Sequence, residues 1–584
     1  MRISSWALAA AGLAPLFAAW PGAASPYVLP KLFVLALAAA AAGLGALSSP
    51  VAAGKPKAKA PAKPDILRPL AFCLGAAVLS SVFSQAPAVS LLGEYSARGQ
   101  GLLTLGLCAA VAALASGAGP AFARIALLAG AGAGAALSAY GLLQLAGLDP
   151  VVNAVGGISY GRIGSLTGSP IGLGASLAML LPLQLRVALD GESPRLKLGG
   201  WACAALSVAG LAFTWSRGAW LAAAAGAACY LLWTGRVRAS RTAAALAAGA
   251  VLAAALAFSL GRARPTDRAD QGRVAVWRSA LSVFAAHPLL GSGPDTFALM
   301  LGRHKTEGFV RAYGESGGQA HAHNDLLHAL ATTGLVGLAA YAWLLLAAWR
   351  RLRNGLRDEV ARAGAAAAGA GLAAAFLVAK VNPLPLDALA LAALLLGLLD
   401  PGGERPRGAT RAAAAFSAAA LVAAGGLLLA DRRAFLGMAA QHAGRLDEAR
   451  AGYEAATRLN PAEQSYGLWL VGAIREQARA EADPARRLSL GRDAVAAARA
   501  LARWSPLDAR ALHALGGSLA ALALQGGPDG MAEAAEVLGR GARADWSYRA
   551  LLETRLVVAN LRKDAFAKSD TEGRLARLDR LARR

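Results

Sequence analysis

Repeated apolar runs, long enough to cross a bilayer as helices, dominate this sequence. The 584 residues are 56% hydrophobic and only 16% charged, whereas a soluble globular protein carries about 25% charged residues. Mean hydropathy is +0.45. These features exclude an ordinary soluble protein. They predict an all-α, polytopic membrane helical bundle.

The apolar runs predict about 12 to 13 transmembrane helices. The expected spans are 5–20, 28–48, 68–84, 100–116, 122–147, 168–187, 199–215, 218–234, 242–261, 326–348, 363–381, 384–399 and 412–430. The first run is interpreted as a retained span and not as a cleaved signal peptide, because the next run follows almost immediately. The runs 5–20 and 384–399 are short enough to be re-entrant.

Basic loops set the expected orientation. Four of them should be cytoplasmic by the positive-inside rule, and counting spans puts all four on one side. They are 55–64, 235–241, 350–362 and 402–411. Because such loops hold much of the formal charge of +24, the charge does not predict a nucleic-acid partner. The opposite, non-cytoplasmic face receives the segments 85–99, 148–166, 216–218 and 262–325, and the chain after residue 430.

The chain changes character after residue 430. Residues 436–461 match the tetratricopeptide pattern, in which Gly444 makes the turn between two helices. Weaker copies follow at 494–520 and 531–557. We therefore expect a membrane domain over 1–430 and a soluble helical repeat domain over 431–584 that could dock a protein partner. An irregular helical bundle is the alternative for this second region.

Five of the seven histidines fall between residues 287 and 328. A metal site of His321, His323, His328 and Asp325 is poorly supported, because the i,i+2 spacing does not suit a helix and no second cluster completes it. We interpret His321 and His328 as polar loop residues that touch headgroups or water. His323 lies beside Asn324, a predicted helix N-cap, and could accept a proton from a hydroxyl nucleophile.

Several arginines lie on the same predicted face. Arg217 sits at the turn between two apolar spans, where a charge is costly and usually functional. Arg162 lies in a Gly/Ser-rich approach to a span, and Arg273 and Arg278 flank Trp277 on a predicted interfacial helix. Guanidinium groups suit bidentate phosphate binding. We interpret three other arginines as residues that snorkel to lipid headgroups and do not bind the phosphate. They are Arg262, Arg264 and Arg268.

Five segments in this order resemble the O-antigen ligase/polymerase family of bacterial membrane proteins, over roughly residues 70–400. They are SVFSQAPAVSLLGEYSARGQGLLTL (81–105), GRIGSLTGSPIGLGASLAMLLPL (161–183), SRGAW (216–220), RVAVWRSALSVFAAHPLLGSGPDTF (273–297) and HAHNDLLHALATTGLVGLAAY (321–341). Asp325 departs from the family, which often has an aromatic residue or histidine there.

This resemblance implies a metal-independent, GT-C-type glycosyltransferase that needs no cofactor. Its donor would be a polyprenyl-pyrophosphate-linked glycan, transferred at the periplasmic face of the inner membrane, with the C-terminal domain in the periplasm. The family's essential histidine falls on His323, as general base. Its phosphate-binding arginines fall on Arg217 and, more loosely, on Arg162, Arg273 and Arg278.

The acceptor stays open, since ligation to a lipid, polymerisation of a glycan and transfer to a protein need the same catalytic groups. A transporter and a membrane-anchored scaffold are more distant alternatives. A transporter should carry polar residues within its spans, and Lys380–Asn382 is the lone candidate.

Overall fold

The computed structural model describes residues 3–48, 66–95, 99–151, 161–237, 267–400 and 406–583. The expected span 242–261, the basic loop 55–64, and Arg262 and Arg264 lie outside these residues. All regular elements within the described ranges are helices, which confirms the predicted all-α class.

The helices are numbered in chain order. Up to residue 237 they are α1 (Ile3–Leu13), α2 (Val28–Leu47), α3 (Leu67–Val82), α4 (Pro87–Leu92), α5 (Leu102–Ala115), α6 (Pro120–Leu145), α7 (Pro170–Asp190), α8 (Pro194–Thr214) and α9 (Arg217–Trp233). Residues 267–400 form α10 (Asp267–Ala286), α11 (Phe297–His304), α12 (Glu307–Tyr313), α13 (Asp325–Arg357), α14 (Arg362–Ala379) and α15 (Leu386–Leu398). The rest are α16 (Arg407–His442), α17 (Leu446–Leu459), α18 (Gln464–Ala480), α19 (Pro484–Trp504), α20 (Ala509–Leu524), α21 (Met531–Ala544), α22 (Arg549–Leu561) and α23 (Ala565–Ala582).

Seven of the described helices are long and apolar enough to cross a membrane: α2, α6, α7, α8, α13, α14 and α16. The chain is therefore a multi-pass membrane protein. Five further expected spans hold helices of only 11 to 17 residues, namely α1, α3, α5, α9 and α15. At 1.5 Å per residue these are shorter than a hydrocarbon core of about 30 Å. Among the described residues, seven helices are thus both long and apolar enough to span a membrane, which is fewer than the 12 to 13 spans predicted from the sequence.

Helix α7 is the centre of the membrane region. Its most apolar stretch is 89% buried, against 28% for α8 and for α13, because α6, α8, α9 and α14 all pack around it. Large apolar side chains on the outer helices are exposed, as expected for surfaces that face lipid. Examples are Phe72, Trp201, Val208, Trp343 and Val422.

Helix α13 is broken at Gly334, whose φ of 65° and ψ of −162° are not helical. This backbone region is essentially restricted to glycine. The break leaves backbone groups of residues 331–336 free to bond to the segment 288–293. Four hydrogen bonds of 2.9 to 3.2 Å join the two segments, namely Ser292 N to Ala331 O, Gly293 N to Thr332 O, Leu335 N to Pro288 O and Val336 N to Leu289 O. The loop before α11 is therefore fixed against α13.

The two ends of the membrane bundle carry different contacts. At one end, Asp190, the last residue of α7, pairs with Arg236 in the segment that follows α9. At the other end, the Nζ atom of Lys31 donates to Thr167 O at 2.8 Å, just before α7 begins. The segment after α9 thus lies at the end of the bundle opposite to the start of α7.

The C-terminal helices pack in sequence, each against its neighbours, from α16 to α23. Gly444 adopts a φ of 74° in the turn between α16 and α17, and α17 ends before Asn460. These helix ends agree with the predicted pattern at 436–461, while the tetratricopeptide interpretation stays a prediction. Helix α16 continues from residue 407 to residue 442, so the expected domain boundary at residue 430 falls inside one helix.

Asp431 ties this helical region to the membrane bundle. Its side chain is fully buried and accepts three hydrogen bonds: from Ser25 N at 2.7 Å, Tyr95 Oη at 2.6 Å and Tyr466 Oη at 2.8 Å. The donors come from the turn before α2, the loop after α4, and α18. One carboxylate therefore connects three parts of the chain that are distant in sequence.

The C-terminal helices also contact the segment 297–318. Lys305 Nζ lies 2.8 Å from Asp545 Oδ2, and the guanidinium of Arg549 makes two hydrogen bonds of 2.7 Å to Glu315. Because Arg549 binds both carboxylate oxygens, this contact fixes orientation as well as distance.

Candidate functional site

His323 lies in the turn that leads into α13. Asn324 is the N-cap of this helix, and its Oδ1 accepts hydrogen bonds from the backbone N–H groups of Leu326 and Leu327 at 3.0 and 3.1 Å. The predicted N-cap is confirmed. His323 itself has a φ of 51°, a left-handed conformation that is uncommon for any residue except glycine.

Unusual backbone conformations recur in the segments around this histidine. Among the described residues, five residues other than glycine have positive φ. Four of them, Ser165, Trp215, Asp295 and His323, lie close in sequence to a candidate site residue or in the segment packed against α13. Such conformations are costly and cluster at functional sites, so these segments are held for more than packing.

The imidazole of His323 is oriented by Gln319. Its Nε2 donates to Gln319 Oε1 at 2.9 Å, since a carbonyl oxygen can only accept. The neutral ring therefore has its lone pair on Nδ1, and this enclosed atom has no hydrogen-bond partner among the described residues. Burial, followed by the nearby charges of Arg273 and His321, lowers the pKa of His323 to about 4. The ring is thus neutral at pH 7 and can accept a proton on Nδ1.

The structure brings Arg162 next to the turn that carries Arg217. Nε of Arg162 donates to Thr214 O at 2.9 Å, and Thr214 is the last residue of α8. Arg217 is the first residue of α9 and is half-buried, so the expected tight turn between two apolar helices is present. Burial lowers the pKa of Arg162 from its ordinary value.

A chain of contacts connects this turn to the start of α13. A Cβ atom at Gly218 would lie 2.9 Å from Val381 and 3.5 Å from Asn382, so the start of α9 packs on the turn between α14 and α15. In the same turn, Lys380 pairs with Asp325, the first residue of α13. The segments carrying Arg217 and His323 therefore lie at the same end of the bundle, on either side of the turn at residues 380–382.

Arg273 and Arg278 lie on different faces of α10. Arg273 is half-buried and close enough to His323 to lower the pKa of the imidazole. Arg278 is exposed beside Val274 and Leu281, which are 43% and 47% exposed. The structure thus groups Arg273 with His323 and places Arg278 on the surface of the helix.

A second cluster lies beside the candidate base. Asp295, His321 and His328 each offer one ligand atom, and these atoms lie within 4.8 Å of one another, so by residue type and spacing the group could hold a metal ion. However, His328 Nδ1 accepts a hydrogen bond from Ala322 N at 3.4 Å. In neutral imidazole this leaves the proton on Nε2. A metal on Nε2 would displace that proton and disrupt the bond to Ala322.

Three details differ from the interpretation of the sequence. His328 is 1% exposed and packs edge-on against Phe297 and His321, so it is a core residue and not a polar loop residue in contact with water. Asp325 accepts a hydrogen bond from Tyr341 at 2.7 Å and pairs with Lys380, so it is separate from the histidine cluster. Lys380 is thus part of an ion pair next to the site.

Sequence reasoning did not identify Gln319 or Asp295. Gln319 is four residues before His323, and this spacing carried no recognised signal. Asp295 is buried and its Oδ2 accepts from the backbone N–H groups of Glu94 and Gln100 at 3.1 and 3.3 Å. These contacts join residues that are about 200 positions apart in the sequence, so no local sequence pattern could predict them.

Fold and candidate site together define a multi-pass membrane protein with half-buried histidine and arginine side chains at one end of its helical bundle. Residues 202–342 match the family model described as O-antigen ligase. This segment of the membrane protein is thus similar to the O-antigen ligase family, whose members are glycosyltransferases that act on lipid-linked glycans. The match begins in α8 and ends in α13, so it includes Arg217, Arg273, Arg278 and His323. The comparison with curated proteins gave no match.

Proposed function

We propose that this protein transfers glycan from a polyprenyl-pyrophosphate-linked donor to an acceptor hydroxyl at the periplasmic face of the bacterial inner membrane. The observation that carries the proposal is the state of His323. Its ring is neutral, its orientation is set by Gln319, and its Nδ1 lone pair has no partner among the described residues. A general base needs these properties.

The arginines suit the charged part of the donor. Arg162 donates to Thr214 O, next to the turn that carries Arg217, and Arg273 lies close to His323. A pyrophosphate bound among them would be neutralised where charge develops as the glycosidic bond breaks. Its negative charge would also offset the effect of Arg273 on the imidazole, which makes His323 a stronger base when the donor is bound.

The proposed reaction is one displacement with inversion at the anomeric carbon. The acceptor oxygen forms a bond to this carbon as the bond to the pyrophosphate oxygen breaks. The acceptor proton passes to His323 Nδ1, and the electron pair leaves with the polyprenyl pyrophosphate. Since this is already a good leaving group, the protein mainly positions the reactants. We propose that the reaction uses no metal ion.

Ligation is our first proposal for the outcome of transfer, and glycan polymerisation or transfer to a protein hydroxyl is the alternative. A strain that lacks this chain distinguishes ligation from polymerisation. Mass spectrometry of its lipid-linked oligosaccharides should show finished long chains if the protein is a ligase. Single repeat units would instead indicate a polymerase.

Complementation of the same strain tests the catalytic assignment. His323→Ala and Arg217→Ala should abolish surface glycan at normal expression. His442→Ala and Arg433→Ala are matched controls, because both residues are exposed on α16, away from the site. Full surface glycan with both site variants would refute the proposal.

A further inference from the structure

A cavity of about 380 Å³ lies between the C-terminal helices and the segment that precedes His323. Three parts of the chain line it: Glu94 in the loop after α4, residues between 298 and 320, and residues of the C-terminal helical region between 464 and 548. The volume lies within the range of small-ligand pockets, about 300–1,000 Å³. The C-terminal helices therefore form one wall of a cavity that is large enough to bind a small ligand.

The lining of this cavity suits a ligand with many hydroxyl groups. It combines carboxylate, amide, guanidinium and phenol side chains, which both donate and accept hydrogen bonds. They include Glu94, Gln319, Gln464, Asp508, Arg510 and Tyr548. Asp508 and Arg510 are paired at 2.9 Å, which holds the guanidinium in place at the wall.

Gln319 belongs to this cavity and to the catalytic site. It lines the cavity, and its Oε1 accepts the hydrogen bond from His323 Nε2. One side chain therefore separates the cavity from the imidazole. Because Gln319 occupies the Nε2 side of the ring, an acceptor whose terminal rings lie in the cavity would have to extend past Gln319 to bring its hydroxyl to Nδ1.

We propose that this cavity binds the terminal sugar rings of a saccharide acceptor, and that the C-terminal helices thereby take part in acceptor selection. This inference rests on the proposed transfer function. The mixed polar lining does not suit an acyl chain, and the volume does not admit a folded protein. The ion pairs Lys305–Asp545 and Glu315–Arg549 fix the two walls relative to each other, so the cavity is preorganised for its ligand.

Gly318 is an exposed position in the lining of the cavity, where a larger side chain can be introduced without a clash at its Cβ. A Cβ atom at this position would have no neighbouring atom within 4 Å, so a larger side chain extends into open space. Gly318→Trp is the variant intended to block the cavity. Gly318→Ala is its companion: it also removes the glycine but adds only one methyl group, so it shows whether any effect of tryptophan comes from its size. Gly472→Trp is the matched control, since Gly472 is an exposed position on α18 with equally open surroundings.

The test uses the purified full chain and membranes of the deletion strain. Saturation-transfer NMR with the methyl glycosides of glucose, galactose and N-acetylglucosamine should show binding of at least one probe to the wild type, Gly318→Ala and Gly472→Trp. Gly318→Trp should bind that probe about tenfold more weakly. Its glycan transfer should fall by a similar factor, while Gly472→Trp, which lies outside the cavity lining, transfers like the wild type.

The possible failures are distinguishable. Wild-type transfer by Gly318→Trp, absence of binding by all three probes, or a product whose glycan is attached to a polypeptide would overturn the cavity proposal and leave the transfer function standing. If the wild-type chain restores no glycan transfer in the deletion strain, the proposed function itself fails, whatever the NMR experiment shows.

Discussion

Nε2 of His323 donates a hydrogen bond to Oε1 of Gln319 at 2.9 Å, and this bond decides which nitrogen of the imidazole can take up a proton. The lone pair is on Nδ1. Gln319 is thus a positioning residue whose effect on transfer passes through His323.

Replacement of Gln319 should therefore change the rate and the pH profile in different ways. Gln319→Leu removes the acceptor for Nε2 and should lower glycan transfer about 10- to 100-fold. Gln319→Glu keeps an acceptor and adds a negative charge, which raises the pKa of His323 and moves the acidic limb of the profile to higher pH. Transfer assays across pH with both variants measure this. An unchanged profile in Gln319→Glu would contradict the role of Gln319.

The wild-type enzyme should keep its activity in moderately acidic solution. Burial and the nearby positive charges lower the pKa of His323 to about 4, so the neutral base is present above this pH and is lost as the pH falls through it. Removal of Arg273 reverses part of this shift, because one of the nearby positive charges is gone. In Arg273→Ala the acidic limb should therefore lie at higher pH.

Arg278→Ala is the matched control for this measurement, since Arg278 lies exposed on the other face of the same helix. It should leave the acidic limb where it is in the wild type. Equal displacement of the limb in both variants would show that Arg273 has no special position near the base.

Any side chain at Gly334, where α13 is broken, should destabilise the protein. Gly334→Ala forces an L-residue into a glycine-only conformation and overlaps its Cβ with Leu289 O, so we expect a loss of about 2–4 kcal/mol in stability. Gly364→Ala in α14 has open space at its Cβ and should be neutral or slightly stabilising. Thermal unfolding of the two detergent-purified variants measures the difference. Equal melting temperatures would argue against a fixed break.

Chelation tests the metal-independent reaction. Glycan transfer by purified protein should be unchanged after treatment with EDTA and removal of the chelator, because the proposed base and the arginines need no ion. Loss of transfer, with recovery on addition of Zn²⁺, would point instead to the group Asp295, His321 and His328. Asp295→Asn would then be expected to abolish the recovery.

Local sequence signals predicted the elements that carry the site. Asn324 followed by an apolar run identified the start of α13, and the polar interruption at Ser216–Gly218 identified the turn between α8 and α9. Both predictions depend on residues within one helical turn of each other. The same kind of local signal located the turn at Gly444.

Contacts across long stretches of chain were beyond such reasoning. The break at Gly334 depends on the segment 288–293 packing against it, and the cavity wall depends on Arg549 reaching Glu315. The burial of His328 could not be predicted either, since Phe297, which packs against it together with the nearby His321, belongs to another helix. A local pattern cannot specify which distant residue will cover a given side chain.

The buried carboxylate of Asp431 helps to fix the position of the C-terminal helices, and so of the cavity wall, relative to the membrane bundle. Since this single group accepts from Ser25 and Tyr95 on one side and from Tyr466 on the other, the C-terminal helices cannot tilt away without breaking hydrogen bonds to it. If the cavity takes the acceptor as proposed, a glycan would have to present its end at one set level relative to the bundle, and the protein would act as a gauge of acceptor reach.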